Sequence, residues 1–164
     1  MIARSAASVV IAAGLVLGAS GCSFFAPQAS LIHYEPSDGV AASIGAIKAR
    51  NVLAISEDGT SANLVFGLAN DSGTAELVDF QYTDAAGAKQ TLTVYAAANT
   101  VTPVGYDGGK SLELANIDTK VGGLFPVYMQ YGSGAGKGLA VPVLDGSQEQ
   151  FSTLAPTLVA TPAP

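Results

Sequence analysis

Hydrophobic residues recur at every second position through most of the chain, and this spacing limits the fold more than any other feature. A period of two places alternate side chains on opposite faces of an extended strand, whereas a helix needs a period near 3.6. The pattern therefore predicts a domain built of half-buried β-strands. The apolar positions that define the runs are Leu64, Phe66 and Leu68; Val78, Phe80 and Tyr82; Leu92 and Val94; Leu112 and Leu114; Phe125, Val127, Met129 and Tyr131; and Leu139, Val141 and Val143.

Short segments rich in Gly and Asp separate these runs, and such residues favour turns because they accept positive φ or cap the turn with a side chain. Strands of this length and spacing predict an antiparallel sandwich of about seven strands. Three prolines fall within apparent strands. Because proline cannot donate to a β-ladder, we expect them at sheet edges, strand starts or bulges. The turn segments are Glu57–Gly59, Asn70–Gly73, Asp84–Gly87 and Asp107–Gly109, and the prolines are Pro103, Pro126 and Pro142.

The first 21 residues have the order of a secretory signal peptide. Arg4 is followed by an uncharged run from Ala6 to Ala19, and the small residues Ser20 and Gly21 come next. This run of about 14 residues is shorter than the roughly 20 that a membrane-spanning helix needs. We predict cleavage after Gly21.

Cys22 is the only cysteine of the chain, so no disulfide can form within it. The segment Ala19-Ser20-Gly21-Cys22 resembles a bacterial lipobox, although Ala19 stands where leucine is usual. The resemblance implies that Cys22 is acylated and anchors the chain to the outer face of the plasma membrane, with more than one acyl chain for stable attachment. We therefore predict a lipidated tether at 22–31, a folded domain at 32–150 and a disordered Pro/Thr/Ala tail at 151–164.

The chain is acidic, with seven Lys and Arg against thirteen Asp and Glu, and removal of the signal peptide takes away Arg4 as well. Nucleic-acid binding needs a basic face, so this class of partner is not expected. An anionic membrane surface would repel the domain, so membrane association is assigned to the N-terminal lipid alone.

Motifs for catalysis or metal binding are weak. The glycine-rich segment 132–138 lacks the first glycine and the Ser/Thr of a phosphate-binding loop, and is interpreted as a hairpin connection. His33 is the single histidine and no nucleophile motif accompanies it. His33 and Met129 are the weak candidates for a copper site, although the strand pattern assigns Met129 to the core. No catalytic residue, metal site or cofactor is predicted.

Tyrosine is frequent for a chain without tryptophan. Buried phenols with one solvated end account for most of the six positions, and a binding patch that uses two or three of them is the alternative. The positions are Tyr34, Tyr82, Tyr95, Tyr106, Tyr128 and Tyr131.

The segment His33 to Val40, with its core Tyr34-Glu35-Pro36-Ser37-Asp38-Gly39, resembles a group of small actinobacterial lipoproteins, as do Ile47–Ile55 and Asn63–Val65. Some members of that group carry the label "DNA modification methylase". This chain has neither the Asn/Asp-Pro-Pro-Tyr/Phe motif nor the glycine-rich cofactor loop of such an enzyme.

More distantly, the strand pattern resembles periplasmic copper chaperones of the PCu(A)C type. That resemblance implies an immunoglobulin- or cupredoxin-like sandwich. It carries over no copper ligand, because the paired Met and His residues of those proteins have no equivalent here.

These observations predict a non-enzymatic, membrane-anchored lipoprotein that acts as an interaction or accessory module of the cell envelope, with an envelope protein as its partner. The alternative is an extracytoplasmic copper- or small-ligand-binding protein whose metal ligands have degenerated.

Overall fold

A computed structural model describes residues 37–156, and the regular structure within them is nine strands and one short 3-10 helix (Glu149–Phe151). The predicted all-β fold is confirmed. The strands are β1 (Val40–Ile44), β2 (Ile47–Ile55), β3 (Ala62–Asn70), β4 (Glu76–Thr83), β5 (Lys89–Ala96), β6 (Thr100–Val104), β7 (Glu113–Leu114), β8 (Leu124–Tyr131) and β9 (Lys137–Leu144).

The strands form two layers that one strand joins. Along the hydrogen-bonded path the order is β5-β4-β8-β9-β2-β3-β6, with β1 paired to β2 and β7 paired to β3. Strand β9 pairs antiparallel with β8, and two of its residues also pair in parallel with β2, at Ala54↔Val143 and Ile55↔Leu144. The arrangement is sandwich-like, as predicted, and it is antiparallel except at this seam, where the sheet is mixed.

The main core fills the space between the two layers. Phe66 of β3 and Phe80 of β4 meet there with ring centroids 4.6 Å apart. Alternate residues of β8 are buried and exposed in turn, as their spacing predicted. Burial of these apolar faces is the dominant favourable term in folding. The largest fully buried side chains include Phe66, Phe80, Ile47, Leu64, Leu68, Leu114 and Met129.

A smaller apolar cluster lies on the outer face of the first layer, and the end of the domain covers it. Leu53, Ile55 and Val65 pack there against Phe151, which is 7% exposed. The prediction placed the domain end at residue 150 and a disordered tail from 151, but residues 151–156 belong to the fold because Phe151 and Leu154 cover this face.

Each of the three prolines pairs with a neighbouring strand on one side only, so its missing amide proton costs no hydrogen bond on the other side. Pro103 is on β6, which is an edge strand as predicted. Pro126 and Pro142 are on inner strands, but each pairs there with one neighbour only, Pro126 with Ala140 and Pro142 with Leu124. The lack of an amide proton at these prolines therefore does not interrupt the hydrogen bonding between paired strands.

The predicted signal peptide, the whole tether with Cys22, His33 and residues 157–164 of the predicted tail lie outside the described residues. Between residues 37 and 156, no helix has the length and hydropathy of a membrane span.

Candidate functional site

A groove of about 560 Å³ on the outer face of the first layer is the main candidate site, and we call it the Tyr106 groove. Its floor is formed by β2 and β3, and its walls by the turn after β6 and the C-terminal segment. Mostly apolar concave surfaces with a few converging polar groups are the usual form of ligand sites. The floor and wall residues are Leu53, Val65, Gly67, Val101, Tyr106, Phe151 and Leu154, and the polar rim is Arg50, Asn51, Asp107 and Gln150.

Gly67 creates the depth of the groove. It lies in the middle of β3, where a glycine signals a close approach of other groups. A Cβ at this position would lie 3.5 Å from the Tyr106 hydroxyl and 3.5 Å from Val101 Cγ1. That distance is an ordinary contact, so a small side chain fits without strain while occupying the floor of the groove.

A β-bulge places the polar rim beside this floor. The pairing of β2 with β3 shifts register between Arg50 and Leu53, and Asn51 takes a φ of 52°. The Asn51 side chain accepts a hydrogen bond from the Gly39 amide at 2.9 Å, which holds the bulge in place. Bulges redirect side chains, and this one leaves both Arg50 and Asn51 exposed at the groove.

The turn after β6 holds Tyr106 over the groove. Gly105 has a φ of 75°, and its amide bonds to the Lys110 carbonyl at 2.9 Å. The Gly109 amide bonds to the Tyr106 carbonyl at 2.8 Å, and Asp107 takes a φ of 50° inside this turn. The turn thus fixes the backbone of Tyr106 while its side chain stays partly exposed.

The opposite wall is held by one buried amide, that of Asn63, which is 4% exposed. Its Nδ2 donates to the carbonyls of Gly105 at 3.0 Å and Leu154 at 2.9 Å. Its Oδ1 accepts from the Ser111 hydroxyl and the Leu112 amide, each at 3.1 Å. Asn63 therefore ties both walls of the groove to β3.

The clearest carboxylate pKa shifts lie in turns away from the groove. Hydrogen bonds from Thr60 lower the pKa of Asp58, and those from Gln90 and Ala88 lower the pKa of Asp84. A hydrogen bond and the charge of Lys48 lower the pKa of Asp71. Burial raises the pKa of the Tyr82 phenol, which sits against Ala115. These groups stabilise turns and packing and do not line the candidate site.

The residues predicted as metal candidates do not meet in the described part of the chain. Met129 is fully buried in the core, opposite Phe80 of β4. His33 and Cys22 lie outside residues 37–156. Within that range, no three His, Cys, Asp or Glu side chains lie close enough to hold a metal ion.

Sequence reasoning missed the groove itself. Tyr106 was one of six tyrosines in the aromatic alternative, but nothing in the pattern separated it from the rest. The available signals were the isolated Gly67 inside a strand and the spacing of Phe151 and Leu154 in a segment interpreted as a tail. Residues 132–136, by contrast, connect β8 and β9 as a hairpin, as predicted, although Lys137 and Gly138 of the glycine-rich segment already belong to β9.

A second surface cavity, of about 610 Å³, lies on the second layer and includes the exposed Tyr128 of β8. Its lining comes from β4, β5, β8 and β9 alone, whereas the Tyr106 groove is also lined by a turn and by the C-terminal segment. We therefore take the Tyr106 groove as the candidate site.

No protein-family model, curated protein or solved structure matches the chain. The resemblances to small actinobacterial lipoproteins and to copper chaperones stay predictions.

Proposed function

We propose that the chain is a membrane-anchored extracytoplasmic lipoprotein and a non-enzymatic interaction module of the cell envelope. In this proposal the Tyr106 groove receives an apolar side chain of an envelope protein, and the rim residues Arg50 and Asp107 bond to polar groups beside it. The observation that carries the proposal is the groove, with its apolar floor, tyrosine wall and polar rim on a sheet.

The proposed location on the membrane rests on the sequence around Cys22, where an uncharged segment ends in small residues and the only cysteine. The binding role rests on the lining of the groove. Its rim offers a guanidinium, a carboxylate and two amides, which donate and accept hydrogen bonds but include no activated nucleophile. Binding through such a site needs an anchor residue seated in a desolvated pocket, as interface hot spots have.

Site-specific photo-cross-linking tests the binding role. With p-benzoylphenylalanine in place of Val101, we expect a discrete protein adduct in intact cells, because Val101 is 58% exposed beside the groove. The same group in place of Ser133, in the β8–β9 loop, is the control for nonspecific capture. A small-molecule adduct at position 101 would favour the ligand-binding alternative over a protein partner.

The second variant pair links the adduct to the groove. Gly67→Val fills the floor and suits a strand, so it should abolish the adduct without unfolding the domain. Gly73→Val is the matched control, because a Cβ there meets no atom within 4 Å. An adduct that survives Gly67→Val would refute the role of the groove.

The lipid anchor is tested separately, by mass spectrometry of the chain extracted from membranes. The wild-type chain should have the mass of residues 22–164 plus acyl groups, whereas Cys22→Ala should keep its leader. A processed wild-type chain without lipid would contradict the anchor and leave the binding role untouched.

Copper binding is not favoured by the described residues, since Met129 is fully buried in the core.

A further inference from the structure

Strand β5 forms one end of the strand order, and β6 approaches its residues 93–95 without pairing with them. All eight of its residues pair with β4 in unbroken register, from Glu76↔Ala96 to Thr83↔Lys89. No described strand pairs with its other side. Half of the backbone amides and carbonyls of an edge strand point away from its neighbour, so β5 presents a regular ladder that a second strand can complete.

The usual protection of an edge is nearly missing on β5. It has no proline and no bulge, and Lys89 is its only charged residue. The opposite edge, β6, is different, because it has five residues, contains Pro103 and is followed by a bridge between Val104 and Lys110. An unprotected regular edge is a surface for pairing with another chain.

The centre of β5 has a short local symmetry about Leu92, since Thr91 and Thr93 flank it. We propose that β5 pairs antiparallel with β5 of a second copy, with Leu92 opposite Leu92 of that copy. In this register the side chains of both copies that point to the core lie on one face of the joined sheet, and the exposed side chains lie on the other, as a continuous sheet requires. A self-complementary patch of this kind is what a two-fold symmetric dimer needs.

On the inner face of this register Leu92 meets Leu92 and Gln90 meets Val94, and the two kinds of outer-face pair are chemically compatible. Thr91 meets Thr93 of the second copy, and Lys89 meets its Tyr95, which gives a hydroxyl pair and a cation–aromatic pair on the outer face. Tyr95 is 61% exposed, and the Lys89 side chain of the second copy would cover part of its ring.

The charges also agree with this register. The two Lys89 residues lie at opposite ends of the paired strands, so they do not face each other. Each lies on the outer face of the sheet, where Asp79 of β4 is paired with Thr93 of β5. The proposal does not depend on the Tyr106 groove, which lies on the other layer.

Disulfide cross-linking tests the register in native membranes, with two differently tagged copies of the full chain expressed together. Directly opposite residues have Cβ atoms about 4.5–5.5 Å apart, close enough for oxidation to trap the pair. We expect Thr91→Cys on one copy to cross-link to Thr93→Cys on the other. The wild-type chain, whose only cysteine is Cys22, gives the background.

Thr83→Cys is the matched control for the partner copy, because Thr83 is also exposed on the outer face but lies on β4. Cross-linking of the Thr91→Cys and Thr93→Cys copies that is no stronger than that of the Thr91→Cys and Thr83→Cys copies would overturn the proposal.

A charge variant tests the same interface by sedimentation of the purified full chain in detergent. Thr91→Lys combined with Thr93→Lys places lysines opposite each other twice, so the dimer should be lost while the far-UV circular dichroism spectrum is unchanged. Ala85→Lys with Ala86→Lys adds the same charge in the exposed β4–β5 turn and should leave the dimer intact. A dimer that persists in the β5 variant would overturn the proposal.

Discussion

Asn63 shows how much of this fold depends on one polar side chain. Its amide makes four hydrogen bonds, to Gly105, Leu154, Ser111 and Leu112, in a region otherwise filled with apolar groups. Buried polar groups are stable only when their hydrogen bonds are made, and here the four bonds join three separate loops to β3. No propensity scale marks Asn63 in the sequence, because its partners are distant along the chain.

We expect Asn63→Ala to lower the free energy of unfolding by about 2–4 kcal/mol, because two carbonyls, an amide and a hydroxyl lose their partner. Urea denaturation of the wild type and the variant measures the difference. Ser111→Ala removes only one of the four bonds at an exposed residue and should cost less than about 1 kcal/mol. Equal losses in the two variants would show that Asn63 does not act as a shared anchor.

At the scale of elements, alternation alone located most strands. The runs around Phe66, Phe80 and Val141 became β3, β4 and β9, because one face of each packs in the core. Two features escaped the sequence. The parallel contact of β2 with β9 depends on how the layers close, and the final segment was classed by its Pro, Thr and Ala content although Phe151 supplies an apolar anchor.

Phe151→Ala should therefore destabilise the whole domain, by about 3 kcal/mol, since it uncovers Leu53, Ile55 and Val65. The midpoint of chemical denaturation gives the value, and Phe151→Leu, which keeps an apolar side chain of similar size, should cost no more than about 1.5 kcal/mol. If residues 151–156 were a free tail, Phe151→Ala would leave the midpoint unchanged.

At the scale of the whole molecule, titration should limit stability at both ends of the pH range. The carboxylates of Asp58, Asp71, Asp84 and Asp145 have pKa values below the ordinary 3.8. Their contribution is present above that value and is lost as pH falls through the lower folded-state values. The Tyr82 pKa is raised above 10.0, so its contribution is lost as pH rises beyond 10.

We thus expect a melting temperature that is nearly constant between about pH 5 and 9 and falls below pH 4. Calorimetry across this range provides the curve. Asp84→Asn removes one of the titrating groups and should flatten the acid limb, because its side chain cannot be protonated in that interval. An acid limb identical to that of the wild type would exclude a role for Asp84.

The candidate site was less predictable than the fold for a physical reason. The alternation of apolar residues predicts which face of a strand is buried. The Tyr106 groove, however, forms where the turn after β6, the bulge in β2 and the segment around Phe151 meet above Gly67. Gly67 and Tyr106 are far apart in sequence, so their meeting in one groove follows only from the completed packing. The predicted lipid anchor has a local signal at Cys22, which is why the sequence alone could propose it.

The position of β9 between the two layers has a consequence for the order of folding. Strand β2 is synthesised early. Its pairing with the second layer can form only after Val143 and Leu144, close to the end of the domain, have been synthesised. Pairings between distant segments form slowly, because chain entropy is lost before the contacts are gained. A chain that stops before residue 137 lacks the joining strand, so a prematurely terminated product should be left with an open seam and be recognised by proteases as unfolded.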